Sequence, residues 1–232
     1  MLARVFRYGS EFSEPIVLLV SQEHPMHLSA EARWFWPVTP DAELIDWFHQ
    51  RGPWAQPPGG GALKTHHYLK DATQSEMGIK TRDGSAVELK GLVAATWDIL
   101  ETAPFTGPVE LWSKWYSETL TLRPHPTVPV KKQRWLRMFT VEQSVVREIA
   151  LDESESAQEA MPCAGCTLEL TQLWVNDRPA GWTLGLEAFG DIPALALQLK
   201  AVATHLSVHC PPKWPDATRN HYPGWLKHQV EN

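Results

Sequence analysis

The sequence predicts a mainly β protein of the α+β class: a closed antiparallel eight-stranded barrel, a tunnel, with a few flanking helices. Three observations predict it. Charged and apolar residues alternate along one strand-like run after another, and a strand sends alternate side chains to opposite faces. Lys80 and Arg82 share a face, as do Glu88 and Lys90, Glu110 and Lys114, and Lys132 and Arg134, while Ile79, Val87, Leu89, Leu111 and Trp115 point the other way. Basic and acidic residues mix on the charged faces, which suits an interior where charges meet. Finally, the apolar faces need a covering layer, and only about three segments have helical periodicity to supply one. Charges turned inward, with apolar faces turned outward beneath helices, satisfy all three.

The elements follow in order. Ile16–Val20 can open the barrel as a strand. His27–Trp36 reads as a strand with Ser29, Glu31 and Arg33 on one face and Leu28, Ala30 and Ala32 between them. Thr39-Pro40-Asp41 opens a helix, Thr39 as its cap, with Leu44, Ile45, Trp47 and Phe48 as its stripe and Trp34 and Trp36 packed against it. Residues 53–61, rich in Pro and Gly, form a loop. His66–Leu69, Met77–Arg82 and Val87–Leu92 are strands, the last two joined by an Asp83-Gly84 turn. One of His66 and His67 faces the interior. Ala94–Thr102 reads as a short helix. Val109–Thr119, Val130–Phe139 and Ser144–Leu151 are strands, and residues 152–162 an acidic loop. Thr167–Val175 and Trp182–Phe189 form a hairpin around residues 176–181. Pro193–His209 is a helix with Leu195, Leu199, Val202 and Leu206 on one stripe. Residues 211–232 read as an irregular, Pro-punctuated tail.

Composition narrows the function. The 232 residues form a single domain, with a core of about 27–209, and 43% apolar content is enough for a packed core. A net charge of −6 argues against an extended nucleic-acid surface, yet leaves room for a basic cavity, because a small anion responds to the local field. No apolar run reaches the ~18 residues of a membrane helix. Three cysteines, an odd number, argue against a disulfide framework and for a cytoplasmic setting.

The motifs, taken together, have a known order. His67-Tyr68-Leu69 leads to Met77–Arg82 with its Lys80-x-Arg82, then to Val87-Glu88-Leu89-Lys90. Val109-Glu110, Lys132-Gln133-Arg134 and Ile149–Asp152 follow, and a closing hairpin carries Glu169 and Glu187. This series, over about residues 27–209, resembles the CYTH domain of the triphosphate tunnel metalloenzymes. The resemblance implies that Arg33, Lys80, Arg82, Lys90, Lys114, Lys132 and Arg134 hold a small phosphorylated ligand. It also implies that Glu31, Glu110, Glu169 and Glu187 hold Mg²⁺ or Mn²⁺. Members of the family hydrolyse triphosphates. The chemistry is coherent: a polyphosphate needs converging Arg and Lys donors, and a divalent ion bridging its oxygens needs hard carboxylate ligands.

The chain departs from the family's Glu-x-Glu-x-Lys strand, where it has Ser29-Ala30-Glu31-Ala32-Arg33. Its closing strands have Thr171 after Glu169 and Phe189 after Glu187, one carboxylate short in each pair. The basic half of the site is better kept than the acidic half. Two functions therefore stay open: a metal-dependent triphosphate phosphohydrolase, which the resemblance favours, with no residue assigned as catalytic, and, as the alternative, a non-catalytic phosphorylated-ligand binding or sensor module. Separately, Cys163 and Cys166, with His205 and His209 at i and i+4 on the late helix, have residue types and spacings compatible with a structural zinc site. The alternative is an ordinary loop beside surface histidines.

Overall fold

The computed structural model describes residues 26–70, 75–82, 86–209, 211–214 and 216–231. Its strands are β1 (His27–Trp36), β2 (Gly59–Leu69), β3 (Met77–Arg82), β4 (Val87–Thr102), β5 (Phe105–Ser117), β6 (Thr127–Glu142), β7 (Val145–Ile149), β8 (Gly165–Val175), β9 (Arg178–Phe189) and β10 (Thr218–Arg219). The helices are α1 (Ala42–Asp46), prolonged by a π-helical turn over Trp47–Arg51, α2 (Ile192–Ser207) and α3 (Tyr222–Glu231).

Eight strands close an antiparallel ring in the order β1-β5-β4-β3-β2-β6-β8-β9, and β9 pairs back onto β1 from Ser29↔Phe189 to Trp36↔Trp182. β7 adds to β6, and β10 to the end of β1 left uncovered by β5. The two-residue period divides the ring as the sequence predicts. Outside, Ala30, Ala32, Trp34, Leu168, Leu170, Leu184, Leu186 and Ala188 form one core with Leu44, Trp47 and Phe48 of the first helical segment and Leu195, Leu199, Val202 and Leu206 of α2. Inside, the charged faces of the strands meet. Asp191 caps α2 by accepting from the Ala194 amide at 3.0 Å, with Pro193 in the first turn.

Three expectations are corrected. Ala94–Thr102 is not a helix but the second half of β4, paired with β5 as far as Thr102↔Phe105. Register shifts at Leu92/Ala94 and Ala94/Asp98 break its alternation, so the strand period is lost there. The first helix starts after Asp41 rather than Thr39, and the Asp41 carbonyl accepts from Leu44 N at 3.0 Å. The tail is not irregular: Pro223 stands in the first turn of α3, a position where its fixed φ favours the helix. Trp225 and Leu226 of α3 pack with Phe35, Tyr68, Val128 and Val130, filling one end of the barrel. The Asp83-Gly84 turn and Ile16–Val20 lie outside the described residues.

A second charged centre lies on the outer side of β6. Arg137 is fully buried, with its guanidinium 3.9 Å from the Trp54 ring. It donates to the Phe48 carbonyl at 2.8 and 3.0 Å, to the Gln56 carbonyl at 2.7 Å and to Glu148 at 2.7 Å. Glu148 in turn accepts from the amides of Ala55 and Gln56 at 2.6 and 3.0 Å. The pair ties the segment after the first helix to β6 and β7. Arg137→Ala leaves Glu148 buried without its cation and should cost about 3–5 kcal/mol. Urea unfolding measures this; a loss below ~1 kcal/mol would mean that the aromatic packing holds the segment without the ion pair.

Candidate functional site

The inward strand faces enclose one charged cavity with an empty volume of about 600 Å³, counting its solvent-open part. Seven cations line it: Arg33 (β1), Lys80 and Arg82 (β3), Lys90 (β4), Lys114 (β5), and Lys132 and Arg134 (β6). These are the seven basic residues that the sequence reading assigned to a ligand. Three carboxylates line it with them, Glu88, Glu169 and Glu187, along with His66, Tyr68 and Tyr222. All but Tyr222, which α3 supplies, converge because each lies at an inward position of a strand in the closed ring.

The carboxylates divide the cations into groups. Glu169 accepts from Arg33 at 2.6 Å, Arg134 at 3.2 Å, Thr171 Oγ1 at 3.0 Å and the Tyr222 hydroxyl at 3.2 Å. Gly185 lies opposite Arg33 in register, and a Cβ there would fall 2.6 Å from the guanidinium carbon, so only glycine leaves room for the fork. Glu88 accepts from Lys80 at 2.8 Å and Arg82 at 3.2 Å. Glu31 pairs with Lys90, lies 3.8 Å from Lys114 and accepts from Ser29 Oγ at 2.7 Å. Glu187 pairs with Lys114.

Lys132 differs. Only 6% exposed, its ammonium has no carboxylate partner among the described residues. It donates to the Tyr68 hydroxyl at 3.0 Å and lies 3.3 Å from the centre of the Tyr222 ring. Burial, with Lys80, Arg33 and Arg134 adding to it against the pull of Glu169, holds its pKa well below that of an ordinary lysine. Lys80 feels the same burial, but Glu88 offsets part of it and leaves the pKa at about 8. Close by, burial and the surrounding cations keep His66 neutral, and its Nδ1 is without a hydrogen-bond partner among the described residues. Burial acts to raise the pKa of Glu31 and Glu88, but the cations around each outweigh it, and both fall to about 2.

Of the four glutamates expected to hold a metal, Glu31 lies opposite both Glu110 and Glu187 in register while Glu169 stands on β8, and each carboxylate is taken up by another partner. Glu169 and Glu187 line the cavity, each already in an ion pair. Glu31 is held by Lys90, and Glu110 accepts from Trp112 Nε1 at 2.9 Å, outside the cavity lining. Among the described residues no three His, Cys, Asp or Glu side chains come together in a group suited to a metal ion. Glu31, Glu169 and Glu187 are bound to ammonium and guanidinium groups and Glu110 to an indole N–H, an arrangement that does not fit a divalent ion as it stands. The Cys163, Cys166, His205 and His209 set does not assemble either. Cys163 is exposed, while Cys166 is buried in the outer core, where burial pushes its thiol up and away from the thiolate a zinc ion needs. His205 and His209 face each other at 5.0 Å between ring centres.

Several members of the site lay outside the sequence reading's ligand set. Tyr68 sits at an inward position two residues from His66, a spacing that could have found it. Tyr222 lies in the tail, and Glu155, which pairs with Arg134 from behind the lining, in the loop after β7, and neither segment carries a strand period. No family model matches the chain, and no curated protein or solved structure does. Among the described residues no helix is long and apolar enough to cross a membrane.

Proposed function

We propose that the barrel binds a compact polyanion, a triphosphate-containing or similarly phosphate-rich small molecule, in its basic cavity. The observation that carries this reading is Lys132. A buried ammonium without a carboxylate partner is costly to keep, and its neighbours are themselves mostly cations. An anionic ligand supplies the missing charge. Seven cations line the cavity, and the three lining carboxylates with Glu31 and Glu155, which pair with Lys90 and Arg134, make five, so the lining keeps an excess of positive charge inside a chain of net charge −6. The order of motifs resembling the CYTH domain supports a phosphate as the source of that negative charge. The family's metal-dependent hydrolysis needs free carboxylates, and here Glu31, Glu169 and Glu187 are committed to Lys and Arg and Glu110 to Trp112, so binding is the function we assign. The reading gives the chain a small phosphorylated ligand and a cytoplasmic setting, with neither a membrane nor an extended nucleic acid as partner.

Titration calorimetry with triphosphate tests it. Charge-assisted hydrogen bonds contribute about 1.5–3 kcal/mol, so Arg134→Ala should weaken binding by roughly tenfold or more. Arg134→Lys should recover only part, because the bidentate fork is lost. Lys70, exposed and outside this cavity, is the control, and Lys70→Ala should bind like the parent. Equal affinities for Arg134→Ala and Lys70→Ala would remove the reading.

A further inference from the structure

The loop between β7 and β8 places a carboxylate on one of the cavity's cations. Asp152 Oδ1 accepts from the Ser154 amide at 2.8 Å, the Ser154 hydroxyl at 2.7 Å and the Ser156 amide at 2.9 Å, and Leu151 pairs with Ala157 across the turn. At its tip stands Glu155, whose φ of 72° lies in the left-handed region that L side chains rarely adopt. The side chain turns inward and is only 7% exposed. Its Oε1 accepts from Arg134 Nε at 3.0 Å, and its Oε2 accepts from Arg134 Nη2 and, at 3.2 Å, from Lys64 Nζ.

β2 is shaped to admit this loop. A Cβ on Gly59 would lie 2.5 Å from Leu151 Cβ and 2.8 Å from the Asp152 carbonyl. One on Gly60, at φ 91°, would lie 2.6 Å from the Arg134 carbonyl and 3.0 Å from Glu155 Oε1. The register of β2 against β6 shifts between Gly60 and Leu63, next to the place where the loop sits. The glycine run therefore makes room for Glu155 on the Arg134 fork.

A carboxylate across a guanidinium fork occupies the donor geometry that two phosphoryl oxygens would use. Glu169, the other carboxylate on Arg134, is fixed in β8 and also serves Arg33. Glu155 is on a loop tip, so it is the partner that can withdraw. We infer that Glu155 holds the place of one anionic group of the ligand, and that the incoming polyanion displaces it to take Arg134 together with Lys64. This rests on the anion-binding reading above and adds Lys64 to the residues that hold the ligand.

Glu155→Gln keeps the shape and removes the competing charge. In the full chain it should bind triphosphate about tenfold more tightly than the parent, the worth of one charge-assisted contact. Glu153, exposed on the same loop, supplies the control, because Glu153→Gln makes the same charge change away from the fork. It should leave the affinity unchanged. Lys64→Ala combined with Glu155→Gln should lose most of the gain. Glu155→Asp, which shortens the reach by one methylene, should fall between parent and Glu155→Gln and serves if the amide disturbs the loop. Unchanged or weaker triphosphate binding in both Glu155 variants would overturn the inference, making Glu155 a support for Arg134. So would an equal gain in Glu153→Gln. A parent protein that binds no triphosphate, with variants that bind none either, would instead sink the anion-binding reading.

Discussion

Replacing Lys132 with methionine is expected to make the protein more stable and to remove most of its affinity for triphosphate. The two effects have one origin. Lys132 is buried against Tyr68 and Tyr222, with Lys80, Arg33 and Arg134 around it and no carboxylate of its own among the described residues. Methionine fills a similar volume without the desolvation cost, and such replacements of buried charge stabilise by about 1–4 kcal/mol. For a chain of this size each kcal/mol raises the thermal midpoint by about 2–4 °C. Binding should fall by roughly tenfold to a hundredfold, the worth of one charge-assisted contact in a desolvated site. The pH dependence gives a second readout. The folded-state pKa of Lys132 lies well below its unfolded value of 10.5, so over that interval the unfolded chain binds the extra proton. Stability must then rise with pH towards 10.5, and Lys132→Met should flatten that rise. A lower thermal midpoint with intact triphosphate binding would contradict the role given to this lysine.

The opposite response is expected at Glu169. Its carboxylate is buried and holds Arg33 and Arg134 together with Thr171 and Tyr222. Glu169→Ala leaves the buried Arg33 without its carboxylate and Arg134 with Glu155 alone, and should destabilise by about 3–5 kcal/mol. Burial alone would raise its pKa, but Arg33, Arg134 and Lys132 hold it well below 4.5. Glu31 and Glu88 are likewise held at about 2 against 4.5. Depressed carboxylates contribute stability that is complete above the unfolded value and lost as pH falls through the folded one. The parent should therefore lose stability steeply between about pH 4.5 and 2. Thermal melts across that range, with Glu169→Ala showing a shallower loss, check both statements. A parent whose midpoint stays level down to pH 2 would mean that these ion pairs contribute little.

The inward face of the barrel was legible because its signal is local. Ser29, Glu31 and Arg33, Lys80 and Arg82, Glu88 and Lys90, and Lys132 and Arg134 each declare their side by a spacing of two. What closes the ring is not local. Which carboxylate meets which cation depends on register between strands far apart in the chain, so the ion pairs that occupy Glu31, Glu169 and Glu187 could not be read. The second half of β4 was lost to its bulges. Tyr222 was lost because proline punctuation read as irregularity when Pro223 was opening a helix. Glu155 was invisible for a different reason: a loop tip has no period, and its importance comes from the glycines of β2, which read as part of the Pro- and Gly-rich loop over residues 53–61.

The return of β9 onto β1 also constrains how the chain comes to be folded. β1 is the first strand of the ring and β9 the last, so their pairing joins the most distant parts of the barrel and must wait for nearly all of the chain. Before that, one long edge of β1 and one of β9 carry unpaired amides and carbonyls, the kind of surface that recruits other chains. The pairings that can form early join successive strands: β2 with β3, β3 with β4, β4 with β5, β6 with β7 and β8 with β9. Assembly should therefore proceed from these local pairings, with the β1–β9 seam closed late, at the slow end of the range for domains of this size. The tunnel would come into being only at this last step: until β1 closes the ring, the buried lysines and arginines remain in water, and the charge crowding of the finished cavity does not yet exist.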